Sequence, residues 1–89
     1  GSGDCYVMAA TFYWMAKVAG YDAHYVKGYF QKSGGKKGAH AWVEIDQKVN
    51  GKKKTYVYDP NSRRNTTEWY KLTYGAKRTL KYVNYKRVN

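Results

Sequence analysis

Cys5, the only cysteine of this chain, stands in Gly3-Asp4-Cys5, His40 in Ala39-His40-Ala41-Trp42-Val43, and Asp59 in Tyr56-Val57-Tyr58-Asp59-Pro60. A thiol is mostly protonated at neutral pH, so it needs a base to become a nucleophile, and the base needs a third group to hold its tautomer and stabilise its cation. Cys5, His40 and Asp59 can fill those roles in acyl transfer from an amide or peptide carbonyl. Each also has a plainer role: a lone Cys as a small buried hydrophobe, a lone His as a structural residue, an Asp before Pro as a turn former. Trp42 is equally suited to packing and to walling a substrate site. His24 has no partner motif and is expected on the surface. Cys5, His24 and His40 include no closely spaced ligand pair of the zinc type, so they do not read as a metal site.

The elements that must position these residues follow from the pattern. Asp4 is a candidate N-cap; Val7, Ala10, Thr11, Trp14, Met15 and Val18 recur at helical spacing, and Gly20 is a C-terminal stop. A helix over roughly 5 to 19 puts Cys5 in its first turn, where unpaired N–H groups and the helix dipole favour a thiolate. Residues 21 to 31 alternate as a strand, 32 to 38 form a Gly-Lys loop, and 39 to 46 alternate again. Asn50-Gly51 signals a tight hairpin with 54 to 59 as the return strand. Centred on those two residues, the hairpin sets Trp42 across from Asp59 and His40 across from Asn61, so that His40 and Asp59 are diagonal neighbours on one face; a longer loop that keeps the same alternation would set the two directly opposite.

The same register puts Glu44 and Asp46 on the face of His40 and Trp42, with Ala41, Val43, Ile45, Tyr56 and Tyr58 on the other. If the Cys5 helix covers the His40 face, the acidic end must project past it, or a bulge must reset the alternation. After Pro60 the chain is turn-rich, with a short helical turn expected at 67 to 70 and a last strand at 79 to 88. Asn65-Thr66-Thr67 matches a glycosylation acceptor, a pattern that arises often by chance.

Composition bounds the rest. The chain has 89 residues, enough for one small domain, and eleven Tyr against two Phe, so its core must draw on Tyr, Trp, Val and Ala. No apolar window is long enough to span a membrane, and no signal-peptide pattern is present. Seventeen Lys and Arg against six acidic residues give a formal charge of +11, a field that draws polyanions. The basic residues cluster at Lys36-Lys37, Lys52-Lys53-Lys54, Arg63-Arg64, Lys77-Arg78 and Lys86-Arg87, beside Gly, Asn, Ser or Thr, as solvated loops and strand ends do.

Across residues 3 to 61 the chain resembles the transglutaminase-like superfamily of papain-like thiol enzymes. The likeness rests on Gly-x-Cys at a helix start, the small-His-Ala-Trp-Val strand, the aromatic-Asp-Pro strand end, and the stretch Ala19 to Tyr29, where a helix stops at one Gly and a strand runs to another. The resemblance implies an α+β fold: one N-terminal helix carrying the Cys, packed on an antiparallel β-sheet. It implies catalytic roles for Cys5, His40 and Asp59, Trp42 beside the substrate, and no cofactor or metal; the family's calcium sites have no visible counterpart. Family members carry a segment before the Cys that often supplies a second oxyanion donor. Four residues precede Cys5 here, so the chain reads as a single core domain over 1–89 trimmed at its N-terminus, with an exposed sheet edge or apolar patch and a tendency to self-associate.

Two functions follow. The first is cysteine-dependent acyl transfer on peptide or glutamine-type amides, by protease, amidase or transglutaminase chemistry. Its substrate would be a protein or peptide, cell-wall peptide included, in a compact bacterial-looking protein at the cell surface or outside it. The second is a non-catalytic module on the same fold, holding an anionic polymer with basic and Tyr side chains. Aromatics interleaved with cations also suit single-stranded nucleic acid, but no nucleic-acid motif is present.

Overall fold

The computed structural model describes residues 2–32, 34–61, 69–76 and 80–89. One helix, α1 (Ser2–Val18), is followed by four strands, β1 (Asp22–Gln31), β2 (Lys37–Val49), β3 (Lys52–Tyr58) and β4 (Lys81–Arg87). The strands form a single antiparallel sheet in the order β3-β2-β1-β4. This is the α+β architecture expected of the chain.

Helix α1 starts three residues earlier than its pattern predicts, so Asp4 lies in the first turn instead of capping it. Its end matches the sequence signal closely. Gly20 takes φ 94°, the Tyr21 N–H donates to the Ala16 carbonyl and the Gly20 N–H to that of Lys17, both at 3.0 Å. This crossed pair is the Schellman arrangement, and it needs a left-handed residue that glycine supplies without strain.

The β2–β3 turn also follows its dipeptide. Asn50 (φ 52°) and Gly51 (φ 79°) both adopt the left-handed conformation that lets a two-residue turn match the twist of its strands. Of the two registers open to the pair, the structure takes the one centred on the dipeptide, with Val43 opposite Tyr58 and Ile45 opposite Tyr56. β2 outruns its predicted span at both ends because Lys37 to His40 pair with β1 and Gln47 to Val49 with β3.

Period-two alternation then sorts the side chains into two apolar layers. Ala9, Tyr13 and Ala16 of α1 pack on Tyr25, Val43 and Ile45. On the other side of the sheet Val26, Trp42 and Val57 pack with Leu72 and Tyr82. Thus α1 covers the odd-numbered face of β2, and His40, Trp42, Glu44 and Asp46 face away from it. Neither a projecting acidic end nor a bulge in β2 is needed.

Residues 69–72 run beside the outer edge of β3. Val57 and Leu72 exchange two backbone hydrogen bonds, and the Asp59 N–H donates to the Trp69 carbonyl at 2.6 Å. The turn expected at 67 to 70, the Asn65-Thr66-Thr67 acceptor, Arg63-Arg64 and Lys77-Arg78 fall wholly or partly outside the described residues.

Candidate active site

His40 sits in β2 opposite Gly28 of β1, and Asp59 is the first residue beyond β3. The hairpin turn fixes both positions, and the structure brings the side chains into contact: His40 Nε2 lies 2.7 Å from Asp59 Oδ2. His40 is 2% exposed and Asp59 not at all. A carboxylate shut away from water must find donors. It finds a second in Tyr82 of β4, whose hydroxyl donates to the same Oδ2 at 2.6 Å. With Asp59 accepting, Nε2 is the protonated ring nitrogen and Nδ1 the one left for chemistry.

Aromatic rings hold the imidazole. Phe30 meets it edge-on at 5.2 Å between centroids, and Tyr82 lies nearly parallel to it at 6.4 Å. Trp42 packs against both His40 and Tyr82, at 5.8 and 4.4 Å. Its exposure is zero, which decides between the two roles open to it: Trp42 is packing beneath His40 and has no surface to offer a substrate. The Trp42 indole N–H donates to the Tyr74 hydroxyl at 2.9 Å, and Tyr74 donates in turn to Glu44. Burial pushes the Tyr82 phenol well above its ordinary value, and the Asp59 charge and hydrogen bond push it further. Tyr74 is raised in the same way, by burial and then by Glu44.

Cys5 is buried, 3% exposed, in the first turn of α1. It lies near Tyr25. Burial, then the neighbouring Cys5 and Tyr6, raise that phenol, whose hydroxyl reaches the Tyr6 carbonyl at 3.4 Å. Next to this helix start a groove of about 340 Å³ runs between Tyr6 and Ala39, the chain neighbours of Cys5 and His40, with Lys27 and Lys86 along it.

His24, expected on the surface without partners, is partly exposed and has polar neighbours. Its Nε2 lies 2.9 Å from Asp22 and 3.5 Å from Asp46, and its Nδ1 3.1 Å from the Asn89 main-chain oxygen. Three potential ligand atoms thus lie within 4.8 Å of one another. Asp46 is already committed to Thr55 and Arg87 on Oδ1 and has Lys53 3.4 Å from Oδ2. Two cations beside its least exposed carboxylate argue against a bound metal at this cluster. Arg87, read from sequence as part of a solvated pair, spans Glu44 at 2.5 Å and Asp46 at 2.8 Å and closes β4 onto β2.

Sequence reasoning missed Tyr82 and Phe30. Tyr82 is one of eleven Tyr in the chain, and the alternation of the last strand gave no register by which to place it. Phe30 could have been found, since it follows Gly28 by two residues on the strand that pairs with His40.

Residues 1–58 match the family model of the transglutaminase-like superfamily. The match takes in Cys5 and His40 and stops one residue before Asp59. No curated protein and no solved structure matched the chain. Covering well over half of the 89 residues, the match shows that this chain belongs to the transglutaminase-like superfamily.

Proposed function

We propose that this protein is a cysteine-dependent acyl-transfer enzyme acting on peptide or glutamine-type amides. The observation that carries the reading is the solvent-excluded contact of His40 Nε2 with Asp59 Oδ2, in a chain whose family match includes Cys5. With Nε2 held by Asp59, Nδ1 takes the thiol proton. Cys5 Sγ then attacks the carbonyl, and the tetrahedral adduct collapses as the imidazolium returns the proton to the leaving amine. Water or a second amine, deprotonated by the same nitrogen, then attacks the acyl-enzyme and frees Cys5.

The two-layer fold bears on the approach. Because α1 lies on the face opposite His40, this reading requires the thiol to reach the imidazole past the start of the helix and not across the middle of the helix–sheet layer. The groove between Tyr6 and Ala39 opens beside that point, and the substrate's acyl side enters there. Lys27 and Lys86 would favour acidic residues next to the scissile amide.

The test is the pH dependence of thiol alkylation. Iodoacetamide should modify Cys5 rapidly at pH 6, and His40→Ala should abolish that low-pH reactivity. Cys5→Ala should abolish turnover of peptide or glutamine-amide substrates. A rate that follows an ordinary thiol titration, unaffected by His40→Ala, would overturn the reading in favour of a binding module.

A further inference from the structure

We propose that Tyr82 is a positioning residue for this site, one that sets the strength of the His40 base through Asp59. The inference rests on the acyl-transfer reading above, and it concerns a residue that lies outside the family match.

Tyr82 and His40 place their donors on one oxygen, Asp59 Oδ2, at 2.6 and 2.7 Å. Two donors on one carboxylate oxygen share its negative charge. The more of it the phenol takes, the less remains to stabilise an imidazolium on the other side. The geometry also fixes direction: a carboxyl group turns about its Cα–Cβ and Cβ–Cγ bonds, and a second donor on Oδ2 stops that rotation. Tyr82 is itself fixed, 9% exposed, with Trp42 and Tyr74 rings at 4.4 and 5.7 Å. Its strand pairs Tyr82 with Phe30, the residue whose ring edge meets His40. Two adjacent strands, β4 and β1, therefore supply the hydroxyl and a wall of the imidazole cage.

The sign follows from the charge. Removing the hydroxyl leaves Asp59 more negative toward His40, which favours the protonated ring. In Tyr82→Phe the midpoint of the His40 ring titration should move to higher pH, by about half a unit or more for the loss of one hydrogen bond to a charged acceptor. The pH profile of Cys5 alkylation should move with it, because the same imidazole holds the thiolate.

NMR titration of the His40 ring in the full chain reads this directly. Tyr74→Phe, which alters the same aromatic cluster without touching Asp59, is the packing control and should leave the midpoint in place. A lower or unchanged midpoint in Tyr82→Phe overturns the proposal, as does an equal move in Tyr74→Phe. Should Tyr82→Phe fail to fold, the unmodified chain still decides: the Tyr82 Cζ resonance should follow the His40 midpoint, and a Tyr82 signal indifferent to that titration overturns the proposal. A raised midpoint together with ordinary thiol alkylation in both proteins would retain the coupling and reject the acyl-transfer reading, so the two failures are distinguishable.

Discussion

Asp59 is a carboxylate with no solvent exposure, answered by an imidazole, a phenol and the geometry of a strand end. That enclosure makes its replacements unequal to those of His40. His40→Ala removes base and acid together and should abolish turnover. Asp59→Asn keeps an acceptor for both donors, loses mainly the stabilisation of the cation, and should retain measurable turnover; steady-state rates of the two variants check this. An Asp59→Asn enzyme as inactive as His40→Ala would assign Asp59 more than an orienting role. Individual residues were legible in proportion to how far their neighbours constrained them. His40 and Asp59 could be read because a dipeptide turn set their register. Tyr82 could not, because alternation identifies a strand but not its partner.

At the scale of elements, β4 is the piece on which the site leans and the hardest to place from sequence. It meets β1 across an irregularity between Lys27 and Tyr29. Gly28 stands there for lack of room: a Cβ would come within 2.5 Å of Tyr85 Cβ and 2.7 Å of its Cα. Gly28→Ala should force β4 outward and destabilise the fold by about 2 kcal/mol, the scale of overpacking, as measured by denaturant unfolding. An unfolding midpoint within error of the parent's would show that β4 shifts freely. The opposite case is the β2–β3 hairpin, whose Asn-Gly turn announced both its type and its register. The side taken by α1 was not written so clearly. Alternation divides β2 into two faces but does not say which the helix covers, and Tyr, suited to either, blurs the contrast.

For the molecule as a whole, a formal charge of +11 coexists with three buried acids among the described residues, Glu44, Asp46 and Asp59, gathered toward β4 and the β2–β3 hairpin. Burial alone would raise the Asp46 carboxyl; hydrogen bonds from Arg87 and Thr55, and the charges of Arg87 and Lys53, outweigh it and hold it at about 2. A carboxyl depressed in the folded state adds stability that is complete above its unfolded value of ~4 and is lost as the pH falls towards the folded one. Between about pH 4 and pH 2 the chain should therefore lose stability more steeply than its Asp46→Asn variant, in thermal unfolding followed at a series of pH values. Parallel curves would show that Arg87 and Lys53 do not discriminate the charged form. Among the described residues no helix is long and apolar enough to cross a membrane, yet α1 exposes Val7, Trp14, Met15 and Val18 along its outer side. The helix was read from the spacing of this very row, yet the structure turns the row outward and buries Cys5, Ala9, Tyr13 and Ala16 instead.

The strand order gives the site a history as well as a shape. During synthesis Cys5, His40 and Asp59 leave the ribosome before Tyr82, which follows Asp59 by 23 residues. The β2–β3 hairpin needs only its own turn to close, so the imidazole and its carboxylate can meet while the edge of β1 is still bare. Until the final strand takes that edge, the pair is open to water on the side that Tyr82 later seals. Here a strand made after all three proposed catalytic residues finishes the pair, so the base is complete only once β4 has been translated and has docked on β1.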